Sequence, residues 1–171
     1  MGVFLEGLAQ PVSGATGGLE AMRRGAELLR EQNILIFDGL IKIALAESEA
    51  HAGDVDRALA ILDEALATSE RIGHRTFDAE LHRVRGEMLL RRDRANSAPA
   101  EEAFQSAIAV AKEQGARSFG LQAALSLAKL YQSTDRPVEA HAVLAVALEG
   151  FAPTPEMPEI AEAQALLSRL V

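Results

Sequence analysis

The chain has 171 residues and a mass of 18.3 kDa, with 25 acidic and 17 basic side chains for a net charge of −8. It contains no cysteine, which excludes disulfides, thiolate metal sites and a thiol nucleophile. Ala (32) and Leu (23) supply 55 residues, and the 49% hydrophobic and 25% charged fractions are those of a globular rather than a disordered chain. The negative balance gives no global electrostatic footprint for nucleic acid. No apolar run approaches the ~18 residues of a membrane span. Residues 1–10 lack the basic start and long apolar stretch of a signal peptide. The expectation is a cytoplasmic protein with no membrane partner.

In chain order, Val3–Gln10 reads as the tail of a helix, and Ser13–Gly18 as its Gly-rich connection to a helix over Leu19–Glu31. Helical patterns then follow at Ile34–Ala52, Asp54–Ile72, Thr76–Arg92, Pro99–Gln114, Ser118–Ser133 and Pro137–Phe151. In the second of these, Ala58, Leu59, Leu62, Ala65 and Leu66 form one apolar stripe at three- and four-residue spacing. Asn33, Gly73 and Gly115 stand where helices stop, being residues that tolerate a left-handed C′ position. Asp54 and Thr76 are N-cap candidates, and Pro99 and Pro137 suit a first helical turn. After a break containing Pro153, Pro155 and Pro158, a last amphipathic helix carries Ile160, Ala161, Ala165, Leu166 and Leu170. No segment alternates with period two long enough to be a strand.

The elements repeat. Phe37, Phe77 and Phe119 are spaced 40 and 42 residues apart, as are Ala46, Gly86 and Ala128, and Asn33, Gly73 and Gly115. Gly18, Ala58, Ala100 and Ala140 follow steps of 40, 42 and 40. Met22, Leu62, Phe104 and Leu144 keep the same steps, and so do Gly25, Ala65, Ala107 and Ala147. Each column holds one side-chain size. The two extra residues of the middle step fall in Arg91–Ala98, which reads as a lengthened loop. The predicted fold is all-α: antiparallel helix pairs stacked as a superhelix with a period of about 40 residues. One array covers 1–171, as a partial repeat (1–32), three repeats (33–73, 74–115, 116–152) and a C-terminal capping helix (153–171).

Two segments carry a resemblance. His82-x2-Arg85-Gly86-x2-Leu89 and Ala124-x2-Leu127-Ala128-x2-Tyr131 resemble the first-helix signature of the tetratricopeptide repeat. Ala58-x3-Leu62, Ala100-x3-Phe104 and Ala140-x3-Leu144 resemble its second-helix signature. The period of 40 exceeds the usual 34, and the closing Pro is replaced near Glu70, Lys112 and Ala152. Ala79–Leu90 and Glu101–Tyr131 are similar to segments of the C-terminal helical-repeat arms of large bacterial signalling proteins. There the array follows a predicted ATPase module, often with a class III adenylate/guanylate cyclase or a LuxR-type DNA-binding domain. The resemblance implies a non-catalytic scaffold or sensor segment that binds a protein or peptide partner. It also implies a concave face made by the first helices, here Leu40, Ile43, Glu47, His51, Glu80, Arg83, Glu87, Gln122, Leu125 and Lys129. Chaperone-binding members clamp a carboxylate with Lys, Arg and Asn in such slots; Leu40, Ile43 and Leu125 take those places here, so that clamp is not indicated. The alternative function is self-association through unpaired end helices, at Leu166 or Leu170.

No catalytic, cofactor or metal site is expected. Ser13–Gly18 lacks the Gly-Lys-Ser/Thr of a phosphate loop and has no strand before it. Met1-Gly2 is followed by Glu6 where myristoylation wants Ser or Thr. His51, His74, His82 and His141 have no i,i+4 partner, and His82 fills the bulky slot of the first-helix signature. Glu47/Glu49, Asp63/Glu64 and Glu101/Glu102 point away from each other on a helix and read as solvated faces. Serines lie in no Gly-x-Ser-x-Gly or Ser-x-x-Lys setting. One charge feature remains: Arg71–Arg94 holds seven Arg against Asp78, Glu80, Glu87 and Asp93, locally +3. It reads first as a helix face laced by Glu80–Arg83 and Glu87–Arg91 pairs. The remoter reading is an acidic-peptide or nucleic-acid contact, the latter disfavoured because aromatics for base stacking are missing.

Overall fold

Helix boundaries follow the stop and start chemistry closely. The computed structural model describes residues 15–31, 38–151 and 158–170. Within them lie eight helices and no strand: α1 (Ala15–Glu31), α2 (Asp38–His51), α3 (Val55–Ile72), α4 (Asp78–Arg92), α5 (Ala98–Gln114), α6 (Arg117–Ser133), α7 (Pro137–Leu148) and α8 (Pro158–Arg169). Val3–Gln10, Asn33, Phe37, Pro153 and Pro155 lie outside the described residues. The Asp54 carboxylate accepts from the Arg57 amide at 2.9 Å and so caps α3. Gly73 and Gly115 end α3 and α5 with φ of 72° and 65°, a region costly to side chains with a Cβ. Pro99 and Pro137 sit in first turns, where no amide donor is needed.

Three local expectations change. Ala15–Gly18 is helical rather than a connection. Met22 and Gly25 are buried further along α1, so packing of that helix offsets the weak propensity of its glycine-rich start. Thr76 lies in a turn two residues before α4; its hydroxyl is 3.2 Å from His74 Nε2 instead of capping the helix. α7 stops at Leu148, three residues early, where Glu149 turns extended (ψ 124°) and Gly150 takes φ 74°.

The chain forms two compact units, residues 1–81 and 82–171, divided within α4. In the first unit α2 packs on both α1 and α3. α2 therefore buries most of its circumference: Ile41, Lys42, Ile43, Leu45, Ala46, Glu49 and Ala50. α3 buries one stripe of Ala58, Leu59, Ile61, Leu62, Ala65 and Ser69. The two buried charges of α2 are answered. Lys42 Nζ is 3.1 Å from Glu64 on α3, and Glu49 accepts from Arg23 on α1. Asp78 is also buried, accepting from the Ser69 hydroxyl and from Arg75 Nε at 2.8 Å.

In the second unit α6 is the central helix, packed on α5, α7 and α8, and α8 also packs on α7. Ile160, Ala163 and Leu166 of α8 are thereby buried, Leu166 to 2% exposure. Leu170, by contrast, is only half-buried. The small-residue columns are interior where α3, α5 and α7 and where α2, α4 and α6 meet their neighbours: Ala58, Ala100 and Ala140 are fully buried, as are Ala46 and Ala128, with Gly86 also buried, whereas the helix-ending Gly73 and Gly115 are exposed. Leu62, Phe104 and Leu144 are buried as well.

Glu101 on α5 ties α6 and its following turn together. It accepts from the Tyr131 hydroxyl at 2.9 Å and from Arg136 Nη1 at 2.7 Å. The Arg136 guanidinium also lies 4.1 Å from the centre of the Tyr131 ring. The Arg136 hydrogen bond holds the Glu101 carboxyl below its ordinary 4.5. A carboxyl with a depressed folded pKa stabilises the fold above its unfolded value and loses that contribution as pH falls through the folded value. The wild-type melting temperature is thus expected to fall more than that of Glu101→Gln between about pH 5 and about pH 3. Parallel slopes in thermal melts would show that Glu101 carries none of the acid sensitivity.

Candidate functional site

The described residues offer one groove where sequence-expected positions and charge coincide, and Phe104 makes its floor. Gly86 on α4 lies against the Phe104 ring so closely that a Cβ there would sit 2.5 Å from Cε1. That approach lets the ring sink to 1% exposure beneath α4. Above it opens a groove of about 610 Å³ between the C-terminal half of α4 and α6. Phe104, Leu90 and Leu130 supply its apolar surface, and Ser126 and Ser133 its hydroxyls.

The rim is cationic. Arg91 and Arg94, both exposed, stand at the end of α4 and just beyond it, with Lys129 on α6. Lys129 reaches Glu162 of α8 at 2.7 Å, with both side chains half exposed. Glu87 is the one acid of the lining. It accepts from Arg83 one turn earlier and from the Ser126 hydroxyl at 3.2 Å, across to α6. The expected Glu87–Arg91 pair is thus replaced by Arg83–Glu87. Ser126 draws the carboxylate across to α6, and Arg91 is left on the rim.

The remaining expected positions separate. In the first unit Leu40 is 49% exposed, Glu47 and Glu80 are half-buried, and exposed His51 turns Nδ1 to the Glu47 carbonyl at 2.7 Å. Ile43 is buried at 6%, not exposed on a face, because α1 and α3 both cover α2. In the second unit Gln122 donates to Glu159 of α8 at 3.2 Å. Leu125 is buried at 5%, since α6 is covered by three helices. The groove therefore keeps Glu87 and Lys129, with Arg83 behind Glu87. Residue-by-residue reading missed Phe104, Ser126, Leu130 and Ser133 as lining, though Arg91 and Arg94 were within the basic stretch already counted.

The lining combines apolar side chains, two hydroxyls and a charged rim. It contains no histidine beside its serines among the described residues, and no three acids or histidines there are grouped to hold a metal. Among the described residues no helix is long and apolar enough to cross a membrane. No protein-family model matches the chain, and no curated protein matches it.

Proposed function

We propose that the chain is a non-catalytic protein–protein interaction module, a tetratricopeptide-like superhelix serving as the repeat arm of a cytoplasmic bacterial signalling or regulatory protein. Its partner presents an acidic peptide segment with one apolar anchor side chain. The observation that carries this reading is the groove: exposed Arg91 and Arg94 on the rim, beside a Lys129 paired with Glu162, against one lining acid already held by Arg83 and Ser126, above an apolar floor. Acidic side chains meet Arg91 and Arg94, while the anchor rests on half-buried Leu90 over the buried Phe104 and Leu130; such division between a charged rim and an apolar centre is how peptide interfaces gain both steering and affinity. Burial of the small-residue columns and the seating of α8 against α6 and α7 support the superhelical reading, since a following repeat's first helix would take that position.

The test uses a fluorescently labelled Asp/Glu-rich peptide with a single central Leu, titrated by anisotropy. Wild-type protein is expected to bind it, and Arg91→Glu with Arg94→Glu to weaken binding by ~10-fold or more, with unchanged helicity. Added salt should weaken the wild-type complex and scarcely affect the variant's. No binding by the wild type, or tighter binding of a single-stranded oligonucleotide than of the peptide, overturns the reading.

A further inference from the structure

A different face of the second unit carries an apolar ridge beside an apolar cleft. α7 is apolar nearly all round its circumference, and a helix of that composition is ordinarily covered on every side. Ala140 and Leu144 are buried. Val138 and Val146, however, are 77% and 67% exposed, and exposed Ala142 lies between them at i,i+4 spacing. They form a ridge with a small residue at its centre, where another helix can approach closely. Beside the ridge is a cleft of about 610 Å³, floored by Ile108, Leu121 and Val143 and walled by Phe151. Ala142 and Val146 belong to both ridge and cleft.

We infer that a second copy of this chain docks here, the ridge of each copy entering the cleft of the other about a two-fold axis. Two features select that occupant. An isologous contact needs protrusion and recess side by side on one surface, so that each is used twice. The charges also match under the exchange. The ridge ends at Glu149, and the cleft is also lined by exposed Lys112 and Arg117 at the α5–α6 junction. Arg117 is held within its own chain there, its guanidinium 4.4 Å from the Phe151 ring centre and donating to the Glu149 carbonyl at 2.6 Å, which leaves exposed Lys112 as the cation facing a second copy. Bringing one copy's Glu149 toward the other's Lys112 sets opposite charges together at the edge of an apolar contact, the arrangement that fixes register. This contact is separate from the peptide groove and does not depend on it.

Multi-angle light scattering and sedimentation equilibrium of the intact chain at ~10–100 µM test it, a range in which a micromolar self-affinity populates the dimer. A dimer mass is expected for the wild type. Val146→Glu is expected to raise the dissociation constant at least ~100-fold with helicity retained, because the site is exposed in the single chain. Lys112→Glu should weaken the dimer by ~10-fold. Arg91→Glu with Arg94→Glu should leave the dimer intact, so failure of the groove reading and of this one are distinguishable. A monomeric wild type across that range, meaning that some other occupant covers the ridge, overturns the proposal. So does a Val146→Glu variant that remains dimeric.

Discussion

Gly86→Ala is expected to destabilise the second unit by about 2 kcal/mol and to lower its melting temperature by about 8–16 °C. Two effects of opposite sign compete. Alanine is a better helix former than glycine by up to about 1 kcal/mol at an interior helical position. Against this, the new Cβ would lie 2.5, 2.7 and 2.9 Å from Cε1, Cδ1 and Cζ of Phe104. Distances that short must be relieved by movement, and Phe104 is 1% exposed with little room to yield. Overpacking of this kind costs about 1–3 kcal/mol, occasionally more, so the steric effect outweighs propensity. Phe104→Leu in the Gly86→Ala background should recover part of the loss, whereas Phe104→Leu alone should destabilise by removing ring contacts. Thermal melts of the four proteins form a double-mutant cycle. A Gly86→Ala protein as stable as wild type would mean that α4 shifts away from α5 at small cost. The same cycle bears on the groove, because a displaced Phe104 ring would rise between Leu90 and Leu130 and shallow the floor.

Much of this interior was legible from side-chain size alone. A column that keeps small residues at Ala58, Ala100 and Ala140 identifies positions where a larger side chain would separate two helices, and all three are fully buried. Caps were equally readable: Asp54, Gly73, Gly115, Pro99 and Pro137 act through backbone chemistry set within a few residues. Asp135 escaped notice because it takes φ 59° without being glycine. Ile43 and Leu125 were placed wrongly for a different reason. Periodicity reports which residues of one helix share a side, but burial depends on how many other helices cover that side. α2 and α6 are each covered by more than one neighbour, so Ile43 and Leu125, assigned to an open face, are interior, whereas Leu40 in the first turn of α2 stays exposed. The groove was only half legible for the same reason. Its basic rim could be counted along the chain, but the Glu87–Ser126 bond spans 39 residues, and nothing local announces it.

Arg23→Ala is expected to cost about 2 kcal/mol in the first unit, more than Glu49→Leu, although Arg23 is the more exposed partner. Arg23 on α1 donates from Nε at 2.9 Å and from Nη2 at 2.6 Å to one oxygen of Glu49 on α2. The Arg23 side chain is 44% exposed and that of Glu49 only 3%. Removing the arginine leaves a carboxylate beneath α1 without its counter-charge, and breaking a fully buried pair in this way costs about 3–5 kcal/mol. Because the arginine end reaches solvent, water enters in its place and the cost drops below that range. Removing the glutamate instead leaves a guanidinium that can turn outward, and leucine fills the vacated interior, so Glu49→Leu should cost under about 1 kcal/mol. The double variant should then be more stable than Arg23→Ala alone, since no stranded charge remains. Chemical denaturation of the three variants measures this order directly. If Glu49→Leu costs as much as Arg23→Ala, the carboxylate contributes through attraction to Arg23 alone, and its burial between α1 and α2 carries no penalty of its own.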